Sequence, residues 1–116
     1  MLSSAHRLTD GASFREAVRS GRRCGSRTVV AHLATDPAAE QAPRVGFVVS
    51  KAVGNAVTRN RVKRRLRHLA REHLSTLPGS AVLVVRALPA AADATYAELR
   101  ADLARCVSRV RTEVSR

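Results

Sequence analysis

Apolar residues fall into short alternating runs and longer runs of helical period. In RVGFVVSK (residues 44–51) Val45, Phe47 and Val49 share one face, and Gly46, Val48 and Ser50 share the other, which is the two-residue period of a strand. RTVVAHLA (27–34) and AVLVVRA (81–87), the latter following Pro78-Gly79, predict two more strands rich in β-branched residues. Between the second and third strands, Val62, Leu66, Leu69 and His73 recur at spacings of four, three and four, the apolar stripe of a helix. Asn55 is suited to cap that helix, and Leu74 to Leu77 fray into a loop. Two capping boxes start the other helices. Ser13 with Glu16 opens a short helix that runs through Arg19 and stops at Gly21. Thr95 with Glu98 opens the last helix, whose stripe is Leu99, Leu103, Cys106 and Val110. DPAAEQAP (36–43) is a loop of turn formers and small residues.

The predicted order is α-β-β-α-β-α, without a repeat or a dividing linker. With 116 residues, this is one domain over residues 1–116, with an ordered core of about 7–112 and an α+β layer fold. Aromatics are only 3% of the chain, so the core is built from Val, Leu and Ala. The strand face carrying Gly46, Val48 and Ser50 is bare for a core.

Charge changes the picture most. The formal net charge is +12, and residues 41–71 hold nine Lys or Arg and no Asp or Glu. Asn60, Lys63, Arg64, Arg67 and Arg71 lie opposite the apolar stripe of the middle helix. Like charges three and four residues apart repel, so that helix calls for a compensating polyanion. Nucleic acid is the first candidate and an anionic membrane surface the second. No apolar run approaches the ~20 residues of a spanning helix, and MLSSAHRLTDG lacks a secretory core, so the expected location is the cytoplasm. Arginine suits phosphate, since its planar fork holds two oxygens at once. A helix packed along one face, with no heptad, zinc-finger or helix-turn-helix signature, favours RNA or a single strand over duplex DNA. Stacking capacity is limited to Phe14, Phe47 and Tyr96, and an aromatic on a core stripe is more often packing than platform.

Catalysis by the chain itself has little support. Its nine acids are scattered, and His6, His32, His68 and His73 form no H-x-H or H-E-x-x-H. His32 on a strand and His73 on a stripe read as structural. Cys24 and Cys106 have no metal or disulfide spacing; Cys106 lies on an apolar stripe and reads as buried, Cys24 in a basic loop as more exposed.

RVGFVVSKAVGNAVTRNRVKRR (44–65) closely resembles the signature of the bacterial ribonuclease P protein component. The segments R-x-G-x-x-V-S-K, G-N-A-V and R-N-R-x-K-R occur in order without gaps. Upstream, RLTDGASFREAVRSG places Arg7, Leu8, Phe14 and Gly21 at the family's spacing, and AVLVVRALPAA resembles its final strand. The resemblance spans roughly residues 7 to 110. It implies an accessory subunit that binds a catalytic RNA and the 5′ leader of precursor tRNA, promoting removal of the leader. It implies no catalytic or metal-binding residue in the chain, with Mg2+ held mainly by the RNA. The family's RNR motif falls on Arg59, Asn60 and Arg61. By resemblance these residues, with Lys63, Arg64, Arg65 and Arg67, contact the RNA subunit. The family's leader cleft, between the first helix and the sheet, carries over onto Phe14, Ser50 and Lys51. Two further positions, often aromatic in relatives, are Val18 and His32 here, which implies a smaller, more apolar cleft with one histidine hydrogen bond. The resemblance also implies a left-handed crossover between the second and third strands, against the general rule. A general RNA chaperone or ribosomal protein, and a protein-only nuclease, are the rival readings.

Overall fold

A computed structural model describes residues 8, 11–35 and 42–114, with side chains as far as Thr112. The elements are α1 (Gly11–Ser20), β1 (Arg22–Gly25), β2 (Val29–Thr35), β3 (Arg44–Val48), α2 (Ala56–Ala70), β4 (Ala81–Ala87) and α3 (Tyr96–Val114). Short 3-10 helices occupy Lys51–Val53, Arg71–Thr76 and Pro89–Ala92. One four-stranded sheet has the order β1-β2-β4-β3. β2 is antiparallel to both β1 and β4, whereas β3 is parallel to β4 and reaches it through α2.

The sheet has two apolar faces. On the first, Val29, Ala31 and Leu33 of β2, Val45 of β3, and Leu83 and Val85 of β4 pack under α2 and α3. Val62, Leu66 and Leu69 come from α2, and Leu99, Leu103, Cys106 and Val110 from α3, all of them buried. Each fully buried Leu or Val contributes about 1.5–3 kcal/mol, so these stripes hold both helices down. The predicted stripes are therefore the observed ones, except that His73 falls in the 3-10 turn and is half-buried. The second face is covered in part by α1, through Ala17, Phe14 and Val18 against Val82, Val84 and Val48. This covering explains why the Gly46 face looks bare. A Cβ on Gly46 would lie 2.5 Å from the Phe14 ring and 3.0 Å from Leu8.

Local chemistry fixes the helix ends. Thr58 N–H donates to Asn55 Oδ1 at 2.9 Å. Glu98 N–H donates to Thr95 Oγ1 at 3.1 Å and Thr95 N–H to Glu98 Oε1 at 2.8 Å, a complete capping box. Ser13 does not open α1 as expected: the helix already includes Gly11, which puts Ser13 inside the first turn. Glu16 instead accepts from Ser20 Oγ at 2.7 Å and pairs with Arg19, which holds its carboxyl below the usual range. α1 does stop at Gly21, whose N–H bonds Ala17 C=O at 3.0 Å.

Three boundaries differ from expectation. RRCG (22–25) is a strand, because it pairs with β2 and turns Cys24 towards α3; Cys24 is consequently buried, not exposed in a loop. β3 ends at Val48, leaving Ser50 and Lys51 exposed beyond it. Leu74 to Thr76 do not fray but continue the turn after α2, and Leu77 is buried. Most of the predicted loop 36–43 lies outside the described residues, as does the N-terminal stretch around Arg7.

Candidate nucleic-acid interface

The apolar stripe of α2 faces the sheet, so its basic residues must point sideways or outward. They divide into two groups. Arg61 Nη2 donates to Ala92 C=O at 3.1 Å, and Arg65 Nη1 to Ala94 C=O at 3.4 Å, which fastens α2 to the segment before α3. Asn60, Lys63, Arg64 and Arg67, with His68, line a concavity of about 360 Å³ on the outward side. Arg59 is half-buried, and its Nε has no hydrogen-bond partner.

Ion pairing sharpens the contrast. Among the described residues, Glu16 pairs with Arg19, Glu98 with Arg27, Glu72 with Arg100, and Asp102 with Arg105. None of these pairs includes a residue of α2. Its cationic concavity is therefore not neutralised by any of these carboxylates and attracts an external anion.

A second recess lies on the other face of the sheet. Phe14, Val18, Arg15, Glu16 and Arg19 of α1, with Val48 and Arg86, line a groove of about 630 Å³. Val48 and Arg86 sit directly opposite each other on β3 and β4. The apolar wall and flanking guanidinium groups suit a base with its phosphates. Phe14 and Val18 are thus brought together as the sequence suggested. Ser50 and Lys51 are exposed beyond the end of β3 and do not line the groove.

His32 lies in the sheet, paired with Arg23 on one side and Val84 on the other. It is only 5% exposed and does not line the groove, and its Nδ1 has no partner. Burial, then the nearby Arg86 and Arg23, pushes its pKa below the ordinary value of 6.5. A neutral, buried imidazole is the form this setting favours.

Arg86, Val48, Arg15 and Arg19 were missed by sequence reasoning. A signal existed for one of them: Arg86 is the only charge in AVLVVRA and sits two residues after Val84, on the face opposite the main core. Tyr96, one of the three aromatics the sequence offers for stacking, comes beside His68. Both are exposed, with ring centroids 6.2 Å apart.

Residues 2–111 match the protein family described as Ribonuclease P. A protein of Nocardioides sp. named "Ribonuclease P protein component" is 70% identical over 116 residues, covering 99% of each chain. Another of that name, from Streptomyces avermitilis, is 53% identical and covers 95% of each. Among solved structures, the Staphylococcus aureus RNase P protein superposes with a TM-score of 0.80 at 26% identity, over 91% of this chain and 95% of that one. The Thermotoga maritima RNase P protein, at 21% identity, shares the fold with a TM-score of 0.76 over 89% of this chain and 98% of that one.

Proposed function

The chain belongs to the ribonuclease P protein family, and on that premise we propose that it is the protein subunit of a ribonuclease P holoenzyme. In this reading it binds the catalytic RNA through the outward side of α2. It also holds the 5′ leader of precursor tRNA in the groove between α1 and the sheet, promoting cleavage that leaves the mature tRNA 5′ end. The observation that carries this reading is the uncompensated charge of α2, set on the opposite side of the sheet from an apolar, arginine-flanked groove. Asn60, Lys63, Arg64 and Arg67 face solvent as phosphate ligands. Arg59, Arg61 and Arg65 contribute at the inner edge, where Arg61 and Arg65 also order the segment leading to α3. Phe14 and Val18 supply the leader's apolar contact, Arg86 a cation beside it, and Ser50 and Lys51 extend the path past β3. His32 supports the sheet beneath.

The chemistry is assigned to the RNA partner, with the magnesium ions that it holds. Among the described residues no three His, Cys, Asp or Glu side chains come together as metal donors. Four of the carboxylates are engaged by arginines. Among the same residues no helix is long and apolar enough to cross a membrane, in keeping with a role beside RNA in the cytoplasm.

Cleavage of precursor tRNA by the RNA subunit at limiting magnesium tests the reading. The protein should restore cleavage, and Arg64→Ala/Arg67→Ala should lose that rescue while keeping its circular dichroism. Phe14→Ala should weaken precursor binding more than mature tRNA binding. Annealing activity without rescue would support a general RNA chaperone, and cleavage without the RNA subunit a protein nuclease; either overturns the assignment.

A further inference from the structure

Among the described residues, Val57 and Tyr96 are the exposed large hydrophobic side chains, and Tyr96 is 38% exposed at the first residue of α3. A tyrosine there could have closed over the α3 stripe, as Leu99 does three residues later. It meets His68 of α2 instead. The two rings are tilted by 51°, with centroids 6.2 Å apart, so neither covers the other's face. His68 also lines the cationic concavity with Asn60, Lys63, Arg64 and Arg67. An open ring pair therefore adjoins a cluster of phosphate-binding cations. Two neighbouring acids are turned elsewhere: Glu98 to Thr95 and Arg27, and Glu72 to Arg100.

We propose that Tyr96 and His68 form a stacking platform for one unpaired base of the RNA subunit, whose flanking phosphates are held by Lys63, Arg64 and Arg67. The proposal rests on the subunit assignment and deepens it. It adds a base-stacking contact to a surface otherwise described by charge alone, on the opposite side of the sheet from the leader groove. Single-stranded RNA is recognised by splaying a base onto an aromatic ring while cations track its backbone, and every base offers a π-face. The platform therefore selects for an unpaired nucleotide at this point of the RNA fold and not for its identity. Duplex RNA, whose bases are already stacked, offers nothing to these rings.

Salt dependence separates stacking from charge. Affinity for the ribonuclease P RNA subunit is measured at several salt concentrations for the wild type, for His68→Ala/Tyr96→Leu and for Arg64→Ala. The ring variant should bind ~10-fold more weakly with an unchanged slope of log K against log[salt], because stacking releases no counterions. Arg64→Ala should lower the slope by about one phosphate contact. Tyr96→Leu alone retains apolar bulk and should show a smaller loss in the same direction, which guards against misfolding of the double variant. Tyr96 is the only tyrosine and the chain has no tryptophan, so the tyrosine ring proton resonances report on it directly. They should shift upfield on addition of a short single-stranded RNA oligonucleotide and stay put with a duplex of the same sequence. If the wild type binds the RNA subunit and the ring variant binds equally well, the platform is refuted and the subunit assignment stands. If the wild type itself shows no affinity, the assignment falls and the platform with it.

Discussion

Gly46→Ala tests the packing that forms the groove. Glycine within a strand is ordinarily a weakness, and replacing it with alanine where the backbone permits gains about 0.4–1 kcal/mol through the unfolded state. Here the sign should reverse. The new Cβ would stand 2.5 Å from Cε2 and Cζ of Phe14 and 3.0 Å from a Leu8 methyl. Carbon pairs settle at about 3.5–4.0 Å, so the ring must retreat by roughly 1 Å. Phe14 is half-buried and can swing towards the groove, which keeps the penalty in the ordinary overpacking range of about 1–3 kcal/mol. At ~2.1 cal/mol/K per residue, the 116-residue chain has an unfolding entropy of about 0.24 kcal/mol/K. A net loss of about 2 kcal/mol then lowers Tm by about 8 °C. Differential scanning calorimetry of wild type, Gly46→Ala, Phe14→Ala and the double variant reads this as a cycle. Without the ring, Gly46→Ala should be close to neutral, giving a coupling of more than about 1 kcal/mol. Equal losses in both backgrounds would show that Phe14 is not what excludes a side chain at position 46.

Thr28 is fully buried and its Oγ1 donates to Asp102 Oδ2 at 2.7 Å, tying the approach to β2 to α3. Thr28→Val should cost about 1–3 kcal/mol, read as a lower urea midpoint at unchanged m, while Thr28→Ser should retain most of the stability. Stability should also fall below the ordinary histidine value of 6.5, because burial leads the causes that depress both His32 and His73. For a depressed histidine the unfolded chain binds the proton first, so the contribution is complete above 6.5 and is lost as pH falls towards the folded value. Tm measured from about pH 7.5 to about pH 5.5 should drop, and His32→Asn should flatten the curve; a flat wild-type curve would refute the burial argument.

Elements with strong periodicity were readable from the sequence. The stripes of α2 and α3 and the extent of β4 follow from side chains that must leave water, and Asn55 and Thr95 announce their helices through short-range hydrogen bonds. β1 was invisible because RRCG has no apolar alternation; it is a strand only because β2 offers it an edge, a tertiary cause. Ser13 is not the start of its helix for a related reason. A capping motif marks a possible start, but packing of Phe14, Ala17 and Val18 against the sheet sets where the helix runs. The cationic side of α2 was legible from spacing alone, whereas the division of labour within it was not. That Arg61 and Arg65 reach the carbonyls of Ala92 and Ala94 depends on a segment about 30 residues away in sequence. The groove was anticipated at Phe14 and Val18, but Arg86 joins it only once β3 and β4 are seen to be parallel neighbours.

The sheet acts as a partition wall. With α1 and the groove on one side and α2 on the other, the two proposed sites share no lining residue. If both recesses hold RNA as proposed, a slab of this kind would turn two grips into one stronger one. Once the first is made, the second site is delivered at fixed distance and orientation, so its engagement is intramolecular and governed by effective concentration. Avidity of this sort disappears if the two ligands are offered as unconnected molecules.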